Sequence, residues 1–157
     1  MRGDRLLHRA LIVLALVGIG IAGYLTYVHY QELTPACTTG GCERVQASRY
    51  AKVAGVPVPL IGLVGYVAIF ASLLVKGELA RLATAFMAIG GFAFSAYLTY
   101  LELFEIDAIC QWCVGSAIVM TLIAILATIR ALRAPDDGLG DDADGRAPLA
   151  APEGEPV

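Results

Sequence analysis

Four uncharged stretches, each about as long as a bilayer is thick, constrain this chain more than any other feature. Residues 10–31 lie between Arg9 and Glu32, 53–75 between Lys52 and Lys76, 82–101 after Arg81, and 108–129 before Arg130. Their lengths, about 20 to 23 residues, match the apolar run a helix needs to cross the hydrocarbon core. Hydrocarbon offers no water to the backbone, so such segments must close their hydrogen bonds internally, as helices. Gly55, Pro57 and Pro59 resist helix at the start of the second stretch and move its onset to about Pro57. The expected spans are about 10–31, 57–75, 82–103 and 109–130. The fold class that follows is an all-α integral membrane protein, a four-transmembrane-helix bundle with an extracytoplasmic loop or short surface helix between the first two spans. Composition agrees: 58% of the residues are hydrophobic and 16% are charged, against about 25% charged in ordinary soluble domains. The first apolar run is too long for a cleaved signal peptide, and no Ala-x-Ala site follows it.

Lys and Arg positions give an orientation. Arg2, Arg5, Arg9, Lys76, Arg81, Arg130 and Arg133 fall on one side, and Arg44, Arg49 and Lys52 on the other. Both termini are therefore expected in the cytoplasm, with the protein multi-pass in the cell inner membrane. The formal charge of −3 hides a split, because residues 134–157 hold seven acids against Arg146 alone, leaving +3 on the rest. Nothing there suggests a nucleic-acid partner. Residues 134–157 read as a disordered, acidic cytoplasmic tail, and 1–133 as one membrane domain.

The same orientation puts all four cysteines at the extracytoplasmic face, the oxidising side in a bacterium. Cys110-Gln111-Trp112-Cys113 opens the fourth span. At a helix start, open N–H groups and the positive end of the dipole stabilise a thiolate, which is what makes Cys-x-x-Cys cysteines nucleophilic. Cys37 and Cys42 flank Thr38-Thr39-Gly40-Gly41, a segment free enough to bring two sulfurs together or let one swing away. A loop this short gains little stability from being closed, so a mobile pair beside a second pair suits thiol–disulfide exchange. Static disulfides, or a metal site built from four thiolates, are the alternatives. His8 and His29 are poorly placed to help a metal, and no metal is expected.

Dithiol oxidation inside a bilayer needs an acceptor dissolved there, and a membrane quinone meets that need. Cys113 lies one turn deeper than Cys110. Gly62, Gly65 and Tyr66, with Pro57, either tighten helix packing or leave room for a flat ring. Tyr24, Tyr27, Tyr97 and Tyr100 read as an interfacial belt, and Glu102 and Glu105 as solvated residues at the end of their span. Ser48-Arg49-Tyr50 belongs to a mildly amphipathic stretch expected to lie on the membrane surface and cap the bundle. An internal repeat is also visible. Ala22-Gly23-Tyr24-Leu25-Thr26-Tyr27 resembles Ser95-Ala96-Tyr97-Leu98-Thr99-Tyr100, and the same offset carries Glu32 onto Glu105 and Cys37 onto Cys110. Spans one and three would then run in the same direction.

Taken together, these residues resemble the bacterial homologues of vitamin K epoxide reductase, here without a fused thioredoxin-like domain. The likeness rests on the loop cysteine pair, Ser48-Arg49-Tyr50, Gly55-x-Pro57, Gly62-x-x-Gly65-Tyr66 and Cys110-Gln111-Trp112-Cys113. It covers roughly residues 18–128. The resemblance implies a thiol:quinone oxidoreductase supporting disulfide bond formation. Electrons would pass from a separate thioredoxin-fold disulfide oxidase to Cys37/Cys42, then to Cys110/Cys113, then to ubiquinone or menaquinone. It also implies quinone contacts at Cys113, Ser48, Ile61, Gly62, Gly65 and Tyr66. Ala117 and Val58 stand where animal members carry Tyr and Asn, which suits a plain respiratory quinone better than a vitamin epoxide. The other quinone-linked disulfide oxidases of the bacterial periplasm carry their Cys-x-x-Cys before the loop pair, the reverse of the order here.

Overall fold

A computed structural model describes residues 2–38 and 40–133; the expected tail lies outside them. Among the described residues there are five α-helices: α1 (Arg2–Tyr30), α2 (Cys42–Ala47), α3 (Val58–Leu74), α4 (Glu78–Phe104) and α5 (Gln111–Leu132). α1, α4 and α5 are long and apolar enough to cross a membrane, and α3 is a shorter apolar helix of 17 residues. The protein is an all-α, multi-pass membrane bundle. Its long helices pack as α1 on α3, α3 on α4, α4 on α5 and α5 on α1, closing a ring.

Local chemistry sets where each helix starts. Between α2 and α3 the chain makes one 3-10 turn (Arg49–Ala51) and a two-strand hairpin, β1 (Lys52–Val53) and β2 (Val56–Pro57), with Lys52 opposite Pro57 and Val53 opposite Val56. Ala54 and Gly55 both take positive φ, 51° and 85°, as a two-residue hairpin loop whose twist suits the flanking strands requires. α3 then begins with Pro59 in its first turn, where a fixed φ helps and the missing N–H has no helical partner to lose.

The core holds Leu11, Ala15 and Ala22 of α1, Tyr66, Ile69 and Leu73 of α3, Ala85 and Ala88 of α4, and Val119, Met120 and Ile123 of α5. Tyr66 reaches across the ring, and its hydroxyl donates to the Ser116 carbonyl and pairs with the Ser116 hydroxyl, each at 2.9 Å. Gly18 makes room for that ring, since a β-carbon there would run into it. The outside is as apolar as the inside: Leu79 and Phe86 on α4 are each 81% exposed. Such a surface belongs in lipid.

At one end of the bundle Asp4 of α1 meets Arg130 of α5 at 3.3 Å and Arg81 of α4 at 3.9 Å. That end also holds the tight turn from α3 to α4, where Gly77 takes φ 130°. The other end carries the hairpin, α2 and the four cysteines.

Candidate active site

Cys110 is the residue immediately before α5, and Cys113 sits in its first turn. Cys37 and Cys42 form a disulfide, while Cys110 and Cys113 are free thiols. The two residues between the α5 cysteines hold the loop. Gln111 accepts hydrogen bonds from the Thr38 backbone N–H at 3.1 Å and the Thr38 hydroxyl at 2.6 Å. The Trp112 indole N–H donates to the Ala36 carbonyl at 2.7 Å, and the Gln111 amide reaches the same oxygen at 3.4 Å. Tyr24 completes the clamp: its hydroxyl accepts the Ala36 N–H at 3.0 Å, and its ring lies 4.9 Å from that of Trp112. Both neighbours of Cys37 are thus tied to the Cys-x-x-Cys.

The far side of the loop docks by backbone contact. Gly41 packs so closely on Ile109 that a β-carbon would collide with the Ile109 carbonyl oxygen. Cys42 and Cys110, the next residues along each strand of this contact, are both 0% exposed, and Cys37 is half-buried. The arrangement brings the two dithiols together at one end of one bundle.

Cys110 is poised for nucleophilic work. A hydrogen bond from the Cys113 side chain holds its thiol below the ordinary range, helped by the backbone N–H groups of Cys113 and Trp112, while burial and the Glu102 carboxylate oppose the shift. Glu102 itself corrects the sequence reading. It is not solvated but 5% exposed, and its Oε2 accepts the Cys110 backbone N–H at 3.2 Å. Glu105 does stay exposed, accepting the Tyr50 hydroxyl at 3.3 Å. Tyr24 is likewise more than a belt residue, whereas Tyr27, Tyr97 and Tyr100 are more than half exposed.

Beneath the cysteines lies a cavity of about 360 Å³. Cys113 and Ser116 form part of its α5 wall, Ile61, Gly62, Gly65 and Tyr66 its α3 wall, and Gln46, Ser48 and Tyr50 its roof. All six expected quinone contacts therefore line one space. The lining is mostly apolar. Gln46 adds a polar group that the sequence did not point to: its buried amide oxygen has no hydrogen-bond partner among the described residues. Glu102 could have been singled out, because an acid inside an apolar span is expensive and is retained for a reason. Tyr24 and Gln46 carried no such signal. Among the described residues, no group of three or more His, Cys, Asp or Glu is arranged to hold a metal ion.

The sequence model of the Vitamin K epoxide reductase family matches residues 9–128, a stretch that includes all four cysteines and every residue of the cavity wall. On that match, and on two dithiols docked at one end of an apolar bundle, the chain belongs to the Vitamin K epoxide reductase family and is a membrane thiol–disulfide oxidoreductase.

Proposed function

We propose that the protein is a thiol:quinone oxidoreductase that keeps a separate, extracytoplasmic thioredoxin-fold disulfide-forming protein oxidised. In this reading residues 1–133 are the catalytic domain. Both termini lie in the cytoplasm, and the cysteine end faces outward from the inner membrane. One observation carries the proposal: the loop disulfide is clamped onto a Cys-x-x-Cys whose second cysteine opens into an apolar cavity between the helices.

The order of exchange follows from burial. Cys37 is the more accessible loop sulfur and takes the attack of the partner's thiolate, releasing Cys42. Cys42, buried beside Cys110, then attacks the Cys110 sulfur and displaces Cys113. The cavity fits a membrane quinone: its volume of about 360 Å³ lies within the usual range for small-molecule sites. The Gln46 amide oxygen, unpartnered among the described residues, can accept from the hydroxyl of a quinol, and the Tyr66–Ser116 hydroxyl pair adds polar groups to the wall. A bound quinone would supply a two-electron, two-proton acceptor. Cys113 presents its sulfur to that space, Ile61, Gly62 and Gly65 leave room for a flat ring, and the Ser48–Ala51 roof excludes water.

Cys113→Ala should abolish reduction of a soluble quinone analogue by purified protein while the helical content stays intact. Unchanged turnover would remove Cys113 from the route. Replacing Cys37 or Cys42 should stop turnover with the protein partner yet spare turnover with dithiothreitol. Equal loss with both substrates would rule out the relay. In Cys42→Ala the free Cys37 thiol should attack the disulfide of the oxidised partner and hold it as a mixed disulfide; capture on Cys42 in Cys37→Ala instead would reverse the order.

A further inference from the structure

Glu102 is the buried charged group that this electron route leaves unused. It lies near the end of α4, is 5% exposed, and holds the Cys110 N–H. Its carboxylate also takes a hydrogen bond from the Cys113 thiol. The single Cys113 S–H proton therefore lies between two acceptors, the Cys110 sulfur and the Glu102 carboxylate. Two hollows meet at this side chain. One is the apolar cavity; the other is an open cleft at the cysteine end, bordered by Gly41 and Arg44 on one side and Asp107 and Ile109 on the other. Glu102 lines both, and no other residue of either wall does.

We propose that Glu102 is the general acid and base for Cys113, exchanging its proton with water of the open cleft. When the loop thiolate attacks Cys110, a sulfur–sulfur bond forms between them and the Cys110–Cys113 bond breaks. The electron pair of the broken bond stays on Cys113, which takes the proton from the Glu102 carboxylic acid. A neutral thiol and a carboxylate result. The net charge is unchanged through the step; it moves from the loop sulfur to Glu102, which shares the cleft with Arg44. Without the transfer, the charge would rest on Cys113 as a thiolate in apolar surroundings, where an unpaired charge is costly. On reoxidation the Cys110–Cys113 bond re-forms, the electron pair leaves to the acceptor of the proposed route, and the carboxylate takes the Cys113 proton back. The groups facing Glu102 are the thiols of Cys110, just before α5, and of Cys113 in its first turn, Arg44 and Asp107 across the cleft, and Tyr50 in the cavity roof. Of these, Cys113 shares a hydrogen-bonded proton with it.

The inference rests on the proposed route for the direction of electron flow, but its test needs no quinone. The full chain is purified free of quinone, oxidised, and reduced with dithiothreitol, and the appearance of the Cys113 thiol is followed by acid quench and mass tagging. Glu102→Gln keeps an oxygen to accept the Cys110 N–H but has no proton to give. It should slow that appearance by about 10²-fold, the usual scale of a positioned acid or base, and Glu102→Asp should recover part of the loss. Redox-difference infrared spectra give a second readout. In the natural protein, reduction should abolish a carboxylic-acid C=O band that shifts in D2O, and Glu102→Gln should lack the band. An unchanged rate in Glu102→Gln overturns the proposal. So does the absence of any carboxyl signal in the natural protein, a result that stands even if the variant fails to fold. Failure of quinone reduction would sink the acceptor assigned above and leave both readouts untouched.

Discussion

Cys110 shows how much of the chemistry rests on single neighbours. Its thiol is held below the ordinary range chiefly by the Cys113 side chain, so the thiolate persists as pH falls below the usual thiol range, near 8.5, and is lost only on falling through the depressed value. The stabilisation that the folded, reduced protein draws from this thiolate is present above the unfolded pKa and disappears along the same path. Cys113→Ala removes the largest cause. The attack of Cys110 on the loop disulfide should then need a higher pH, as a pH–rate profile of Cys42–Cys110 mixed-disulfide formation would show. Gly41 offers a steric counterpart. Gly41→Ala puts a methyl group against the Ile109 backbone, which should cost about 1–3 kcal/mol in thermal unfolding and slow loop-to-Cys110 exchange. At this scale the sequence was most readable where chemistry is written in residue type: four cysteines, and a glycine-lined helix opposite them. Glu102 was misread because the end of an apolar run looks like the water boundary. Here the chain continues past it, and the loop folds back over the carboxylate.

Between elements, the internal repeat explains more than a likeness of letters. Thr26 and Thr99 each bond back to the carbonyl four residues earlier, Ala22 and Ser95. Both helices close on the same long bond, Leu33 N–H to the Val28 carbonyl and Ile106 N–H to the Leu101 carbonyl. The two helices end alike, and each hands the chain to a cysteine. The four apolar helices were legible from uncharged length alone, because the bilayer forces helix on any such run. The cap was less so: α2 and the hairpin are short and owe their shape to the close contact of Gly41 with Ile109, to packing of β2 on α3 and to positive φ at Ala54 and Gly55. Tyr66, which joins α3 to α5, gives this scale its own test. Tyr66→Phe keeps the ring against Gly18 and loses the bonds to Ser116. It should lower stability by about 0.5–1.5 kcal/mol in a denaturant series, with a smaller effect on loop docking than Gly41→Ala.

For the whole molecule, the difference in helix length matters. α3, with 17 residues, is about 26 Å long at 1.5 Å per residue, shorter than the other three. Its late start leaves a gap at the cysteine end, and the roof from α2 to the hairpin fills it, closing the cavity from above. Orientation across the membrane rests on the distribution of Lys and Arg, and it is checkable. In intact cells an impermeant maleimide should label Glu105→Cys beyond the background of the parent protein and spare Lys76→Cys; the reverse pattern would turn the molecule over.

The clamp on the loop carries its own reporter. Trp112 is the sole tryptophan of the chain, and it stands at the junction of the two dithiols with its indole bonded to the loop and packed at a tilt against Tyr24. Ultraviolet emission from the unlabelled protein therefore reads the seating of the loop directly. Release of the loop should shift that emission and change its quenching by iodide. A stopped-flow trace would then time each arrival and departure of the loop during turnover, with no dye attached.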